Sequence, residues 1–135
     1  MRAIQLLGAL SLLVLASACG DSIDFEFENR FEGRVTRILD GDTWRMDTEP
    51  IRVRAWGYDA PECVPDCENG ATVKLRELIT DQDLVCEWVN RQLSYERKIV
   101  RCFLPDGTDI GQAMVDSGTV LEVCRFSRGV YGTCG

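Results

Sequence analysis

Histidine is absent from this chain of 135 residues. That absence excludes Ser-His-Asp and Cys-His nucleophilic machinery, histidine general-acid catalysis and the usual imidazole zinc sites. Basic residues are outnumbered, with 15 Lys and Arg against 22 Asp and Glu and a net charge of −7. Such a chain does not adhere to nucleic acid or anionic lipid through bulk electrostatics, so a polyanionic ligand must be gripped locally. No internal repeat, low-complexity segment or second domain is visible, and the length suits one domain with a sizeable core. Any chemistry therefore falls to carboxylates, arginines, hydroxyls and a hard cation.

The first eighteen residues, "MRAIQLLGALSLLVLASA", hold one basic residue, Arg2, then an apolar run from Ala3 to Leu15, then small residues. This pattern predicts a signal peptide over 1–18, too short and wrongly flanked to span a membrane. Two cleavage rules fit. "ASA" suits ordinary signal peptidase and a soluble secreted product. "LASAC" resembles a bacterial lipobox with Cys19 lipidated, although the usual leucine sits one position early, at Leu15. Of seven cysteines, lipidation of Cys19 leaves an even set: Cys63, Cys67, Cys86, Cys102, Cys124 and Cys134. An even set in an exported chain suggests disulfides and favours the lipid-anchored reading, in the bacterial periplasm or cell envelope. Fifteen pairings are open to six cysteines. Strand adjacency favours Cys86 with Cys102, and short separation favours Cys63 with Cys67 and Cys124 with Cys134. Oxidised cysteines exclude thiolate metal sites.

Residues 19–32 are acidic, with alternating Ile23, Phe25 and Phe27, and read as a tether or an extra strand. The domain is expected over 33–135. "GRVTRILDGDTWRMDTEPIRVRAWG" reads as three β segments joined at Asp40-Gly41-Asp42 and at 47–50. In the third, Ile51, Val53 and Ala55 alternate with Arg52, Arg54 and Trp56, the period of a strand with one buried face. Helical spacing of Ala71, Leu75, Leu78 and Ile79 predicts a helix over 70–80. "LVCEWV" and "RKIVRCFL" read as strands separated by 90–96. Asp109 can cap a short helix, 110–117, ending at Gly118. The tail reads as irregular. Five strands and flanking helices suit a small Greek-key barrel. Trp44, Trp56 and Trp88 are expected to pack the barrel rather than stack bases.

The stretch from Ile38 to Glu62 holds six carboxylates and three arginines. Asp-Gly-Asp alone is a turn signal, since both residue types tolerate positive φ. Crowding Asp40, Asp42, Asp59 and Glu62 would be repulsive without a cation. A hard ion such as Ca²⁺, which takes several oxygen ligands, turns the crowding into a ligand set. A phosphate on that ion needs further neutralisation, which the forked guanidinium supplies.

"LDGDTWRM…IRVRAWGYDAPE" resembles the staphylococcal-nuclease (thermonuclease) family pattern, and "YERKIVRCFLPDGTDIGQAMVDSG" resembles its later strand, turn and helix. The resemblance implies an OB-fold barrel of five strands with two to three helices. It also implies Ca²⁺-dependent hydrolysis of DNA or RNA to 3′-phosphate products by a monomer. Asp42, Asp59 and the Ala60 carbonyl would bind the metal, and Glu62 would hold or deprotonate water. Arg54 and Arg97 would grip the phosphate with help from Tyr95, while Asp40 and Thr43 would orient the metal ligands. Glu96 stands where the family has glycine, and the tail lacks the family's substrate-capping aromatic. The alternative reading is a weak or inactive OB module that binds nucleic acid or protein. Membrane contact is expected only through the lipid.

Overall fold

Period-two alternation builds most of the domain. The computed structural model describes residues 29–62 and 68–135. The signal segment 1–18, Cys19, the acidic stretch up to residue 28, and Cys63 and Cys67 lie outside the described residues. Strands β1 (Arg30–Ile38), β2 (Thr43–Met46), β3 (Arg52–Ala55), β5 (Asp83–Ser94) and β6 (Arg97–Phe103) close into a barrel in the order β1-β2-β3-β6-β5. All pairings in it are antiparallel except β3 with β6. This is a five-stranded OB-type barrel. The last three residues of the acidic stretch, Arg30 to Glu32, are the start of β1 and pair with Glu87, Cys86 and Val85.

Inward residues fill the barrel: Val35, Trp44, Met46, Val53, Ala55, Leu84, Cys86, Val100 and Cys102 are all buried. Cys86 and Cys102 sit directly opposite one another and form a disulfide inside the barrel. Trp44 is wholly buried, as packing required; Trp56 and Trp88 are half-buried. Helix α1 (Gly70–Ile79) covers the barrel through Ala71, Leu75 and Ile79, and α2 (Ile110–Asp116) through Ile110, Met114 and Val115. Asp109 caps α2 as expected, accepting from the N–H groups of Gly111 and Gln112.

The structure departs from the sequence reading in three places. The gap expected at 90–96 is strand as far as Ser94, where β5 ends, and a two-residue turn after it. Asn90 and Arg91 take positive φ there and shift the register between Trp88 and Leu93, a kink that polar residues disguise as a loop. The tail is ordered rather than irregular. Strand β7 (Leu121–Glu122) pairs with β4 (Tyr58–Asp59), and a single helical turn, α3 (Cys124–Ser127), follows. Elements of two and four residues are too short to show a period. The third departure, at Gly41, belongs to the site.

Candidate functional site

Three elements converge on one corner of the barrel: the β1–β2 turn, the end of β3, and β4 with the loop after it. The β1–β2 turn holds Asp42, whose residue is 6% exposed. Its Oδ1 accepts from the Thr43 hydroxyl at 2.9 Å, and its Oδ2 from the Ala60 N–H at 3.2 Å. The Asp42 N–H donates to Asp40 at 3.0 Å. Burial, with help from the neighbouring Asp42 carboxylate, pushes the Asp40 carboxyl above its ordinary range.

Arg54 projects from β3 between the two acidic loops. Its Nη2 lies 2.7 Å from Asp59 Oδ1 and 3.4 Å from Asp42 Oδ2. Asp59 is largely exposed and Asp42 is not, so one guanidinium nitrogen joins a wet carboxylate to a dry one. Arg97 on the adjacent strand β6 donates to the Thr43 hydroxyl at 3.2 Å and to the Ser94 carbonyl at 3.1 Å. Its guanidinium also lies 5.9 Å from the centre of the Tyr95 ring. A chain of contacts thus runs Asp59–Arg54–Asp42–Thr43–Arg97–Tyr95.

The sequence-predicted residues Asp40, Asp42, Thr43, Arg54, Asp59, Ala60, Tyr95 and Arg97 are brought together. Glu62 is exposed two residues past Ala60, without a hydrogen bond or ion pair among the described residues. Ala60 touches Asp42 through its N–H, whereas the expectation concerned its carbonyl. Glu96 is exposed, and Arg97 is held by Ser94 and Thr43 instead.

Gly41 corrects the turn argument. Positive φ is not what it supplies. A Cβ there would stand 2.6 Å from the Ala71 Cβ and 2.8 Å from the Ala60 Cβ, so glycine allows the turn, α1 and the metal-loop candidate to meet. Two positioning residues escaped the sequence reading. Tyr58, wholly buried, donates its hydroxyl to the Gly41 carbonyl at 2.9 Å. Burial and the Asp42 charge push that phenol well above its usual range, so it stays a donor. Asn69 caps α1 by accepting from Thr72 N–H, and donates to the Pro61 carbonyl at 3.1 Å, fastening the loop that bears Glu62. Strand alternation and Asn as a helix-start residue were the available signals.

The donor set is oxygen only, which suits a hard cation. Two carboxylates from separate elements already share one cationic nitrogen, so their convergence fits a positive centre. No protein-family model matches the chain. It is 34% identical over 88 residues to a protein of Escherichia coli O157:H7 named "Uncharacterized endonuclease", and equally to one of Escherichia coli with the same name, in each case 64% of this chain and 57% of the relative. It is 26% identical over 107 residues to the "Succinoglycan biosynthesis protein ExoI" of Rhizobium meliloti (strain 1021), covering 71% of this chain and 54% of the relative. The chain therefore spans about half the length of the curated relatives it matches, and two of these three are named as endonucleases.

Proposed function

We propose that the chain is an exported, lipid-anchored, calcium-dependent phosphodiesterase of the staphylococcal-nuclease kind, hydrolysing DNA or RNA to 3′-phosphate products. One observation carries the reading: Asp42, on the β1–β2 turn, and Asp59, on β4, meet at a single Arg54 nitrogen beside a second arginine, Arg97. The similarity to proteins named as endonucleases supports it. Ca²⁺, held by Asp42, Asp59 and the Ala60 region, would supply a Lewis acid and neutralise charge building at phosphorus. Arg54 and Arg97 reach the phosphate from neighbouring strands and donate to the oxygens where that charge develops. Glu62, unpartnered among the described residues and exposed, takes the proton of the attacking water or orients it. Thr43 and Asp40 keep the Asp42 carboxylate aimed, and Tyr58 holds the turn beneath them.

The test is digestion of plasmid DNA and of RNA with Ca²⁺ and with chelator. Chelator is expected to abolish cleavage. Arg54→Ala and Arg97→Ala should each lower the rate on the order of a hundred- to a thousandfold, and Glu62→Gln roughly a hundred- to ten-thousandfold. Cleavage that persists in chelator, or at full rate in Arg54→Ala, overturns the assignment. A second reading has an observation of its own. The buried Asp42 oxygens are satisfied by Thr43, Ala60 and Arg54, as a binding module would also have them. That reading predicts an oligonucleotide bound and left intact under every metal condition.

A further inference from the structure

A line of arginines crosses the outside of the barrel. Arg37 on β1 stands opposite Arg45 on β2. The β2–β3 register pairs Thr43 with Arg54 and Trp44 with Val53, so one step on it sets Arg45 opposite Arg52. Arg52 in turn stands opposite Arg97 on β6. Four consecutive strands therefore each place an arginine in one row. The flanking residues Trp44 and Val53 are buried inside the barrel, so the row faces out.

Stability does not account for this row. Like charges set opposite one another on a sheet repel and are destabilising. The chain has carboxylates to spare, and five of its other cations use them, whereas Arg30, Lys74, Arg125 and Arg128 have no ion pair among the described residues. Arg34 pairs with Asp83, Arg54 with Asp42 and Asp59, Arg76 with Glu68, Lys98 with Glu49, and Arg101 with Asp109. Among the described residues Arg37, Arg45 and Arg52 have no ion pair. In a chain of net charge −7, an unpaired basic row ending at the candidate site is a local exception to the overall field. Its complement is a linear array of negative charges.

We propose that this row is a track for the sugar-phosphate backbone of a single polynucleotide strand, leading from Arg97 across β3 and β2 to β1. Three inter-strand steps cover about 14 Å, the length of roughly four nucleotides at the 3.4 Å rise of a stacked strand. That is within the range of site sizes that single OB folds use for single strands. One row of cations matches one backbone. The proposal rests on the phosphodiesterase reading and names its substrate as a stacked single strand, gripped well beyond the cleaved linkage.

The experiment is binding of a fluorescein-labelled 12-nucleotide single strand, in chelator to prevent cleavage, from 50 to 200 mM salt. Two variants remove the same charge from different places: R37A/R45A on the row, and R34A/R76A off it. The row variant should bind several-fold more weakly at 50 mM salt, with a salt slope shallower by about 1.4 for two lost phosphate contacts on a single strand. R34A/R76A and the charge-preserving R37K/R45K should keep the parent slope. The track is overturned if R37A/R45A keeps the parent slope, if R34A/R76A loses as much, or if the parent does not bind the strand at 50 mM salt. It is also overturned if R37A/R45A loses only binding to phosphatidylglycerol vesicles, which would assign the row to a membrane surface. Binding with the expected slope but no cleavage in Ca²⁺ sinks the catalytic reading alone. Cleavage of a dinucleotide with an unchanged slope sinks the track alone.

Discussion

Tyr95 and Glu96 form the two-residue turn between Ser94 and Arg97, with φ of +48° and +59°. Hairpin turns of this hand want glycine or asparagine, because a Cβ in the left-handed region costs roughly 1–2 kcal/mol. Glu96 bears that strain next to a phosphate-binding candidate. Glu96→Gly should raise stability by about 0.5–1 kcal/mol, after subtracting glycine's greater unfolded-state entropy. Urea unfolding measures it, and a fall in the midpoint would refute the strain. Gly41 is the converse case. Its identity was legible in the sequence, but its reason was not, because Ala60 and Ala71 crowd it from distant positions. Torsional preference can be read along a chain; a neighbour brought in by folding cannot.

The tail is a knot tied around Glu122. Its carboxylate accepts from the Ser127 hydroxyl, the Tyr131 N–H, and both the N–H and hydroxyl of Thr133. Cys124–Cys134 closes the same segment covalently. Tyr131 then lies against Trp56, ring to edge at 6.0 Å, in a slot kept open by Gly57 and Gly111. Desolvation raises the Glu122 pKa, but the Ser127, Thr133 and Tyr131 donors outweigh it and bring the group down to about 2. A depressed carboxylate contributes stability above its unfolded pKa and loses it as pH falls through the folded value. The melting-temperature gap between the parent and Glu122→Gln should thus be full at pH 7 and shrink from about pH 4.5 towards pH 2. A gap that widens in acid contradicts the assignment. The cysteine spacing made this closure foreseeable, whereas the glutamate at its centre gave no local sign.

The barrel is cross-linked at its heart. Cys86 and Cys102 lie 16 residues apart in sequence, on the long β5–β6 hairpin, and both are buried. Loss of a closed loop of that length costs about 3 kcal/mol in the chain-entropy picture. C86A/C102A should lose about that much in chemical denaturation, and a loss below about 1 kcal/mol would show the bridge to be incidental. The five barrel strands, the two main helices and this pairing could all be read from alternation and spacing. What alternation hides is which strands become neighbours, and the parallel contact of β3 with β6 depends on that. Arg54 and Arg97 stand on neighbouring strands only through that contact, with α1 and the whole of β5 between them in the chain.

Non-local pairings of this sort pay their loop-closure entropy before they return any contact energy. The two guanidinium groups therefore share one site only once β3 and β6 have paired. A nascent or clipped chain that ends short of Arg97 holds half of the proposed clamp and cannot hold the other half in place. Affinity for a phosphate ester would then report completed closure, and partly assembled forms would be silent towards it.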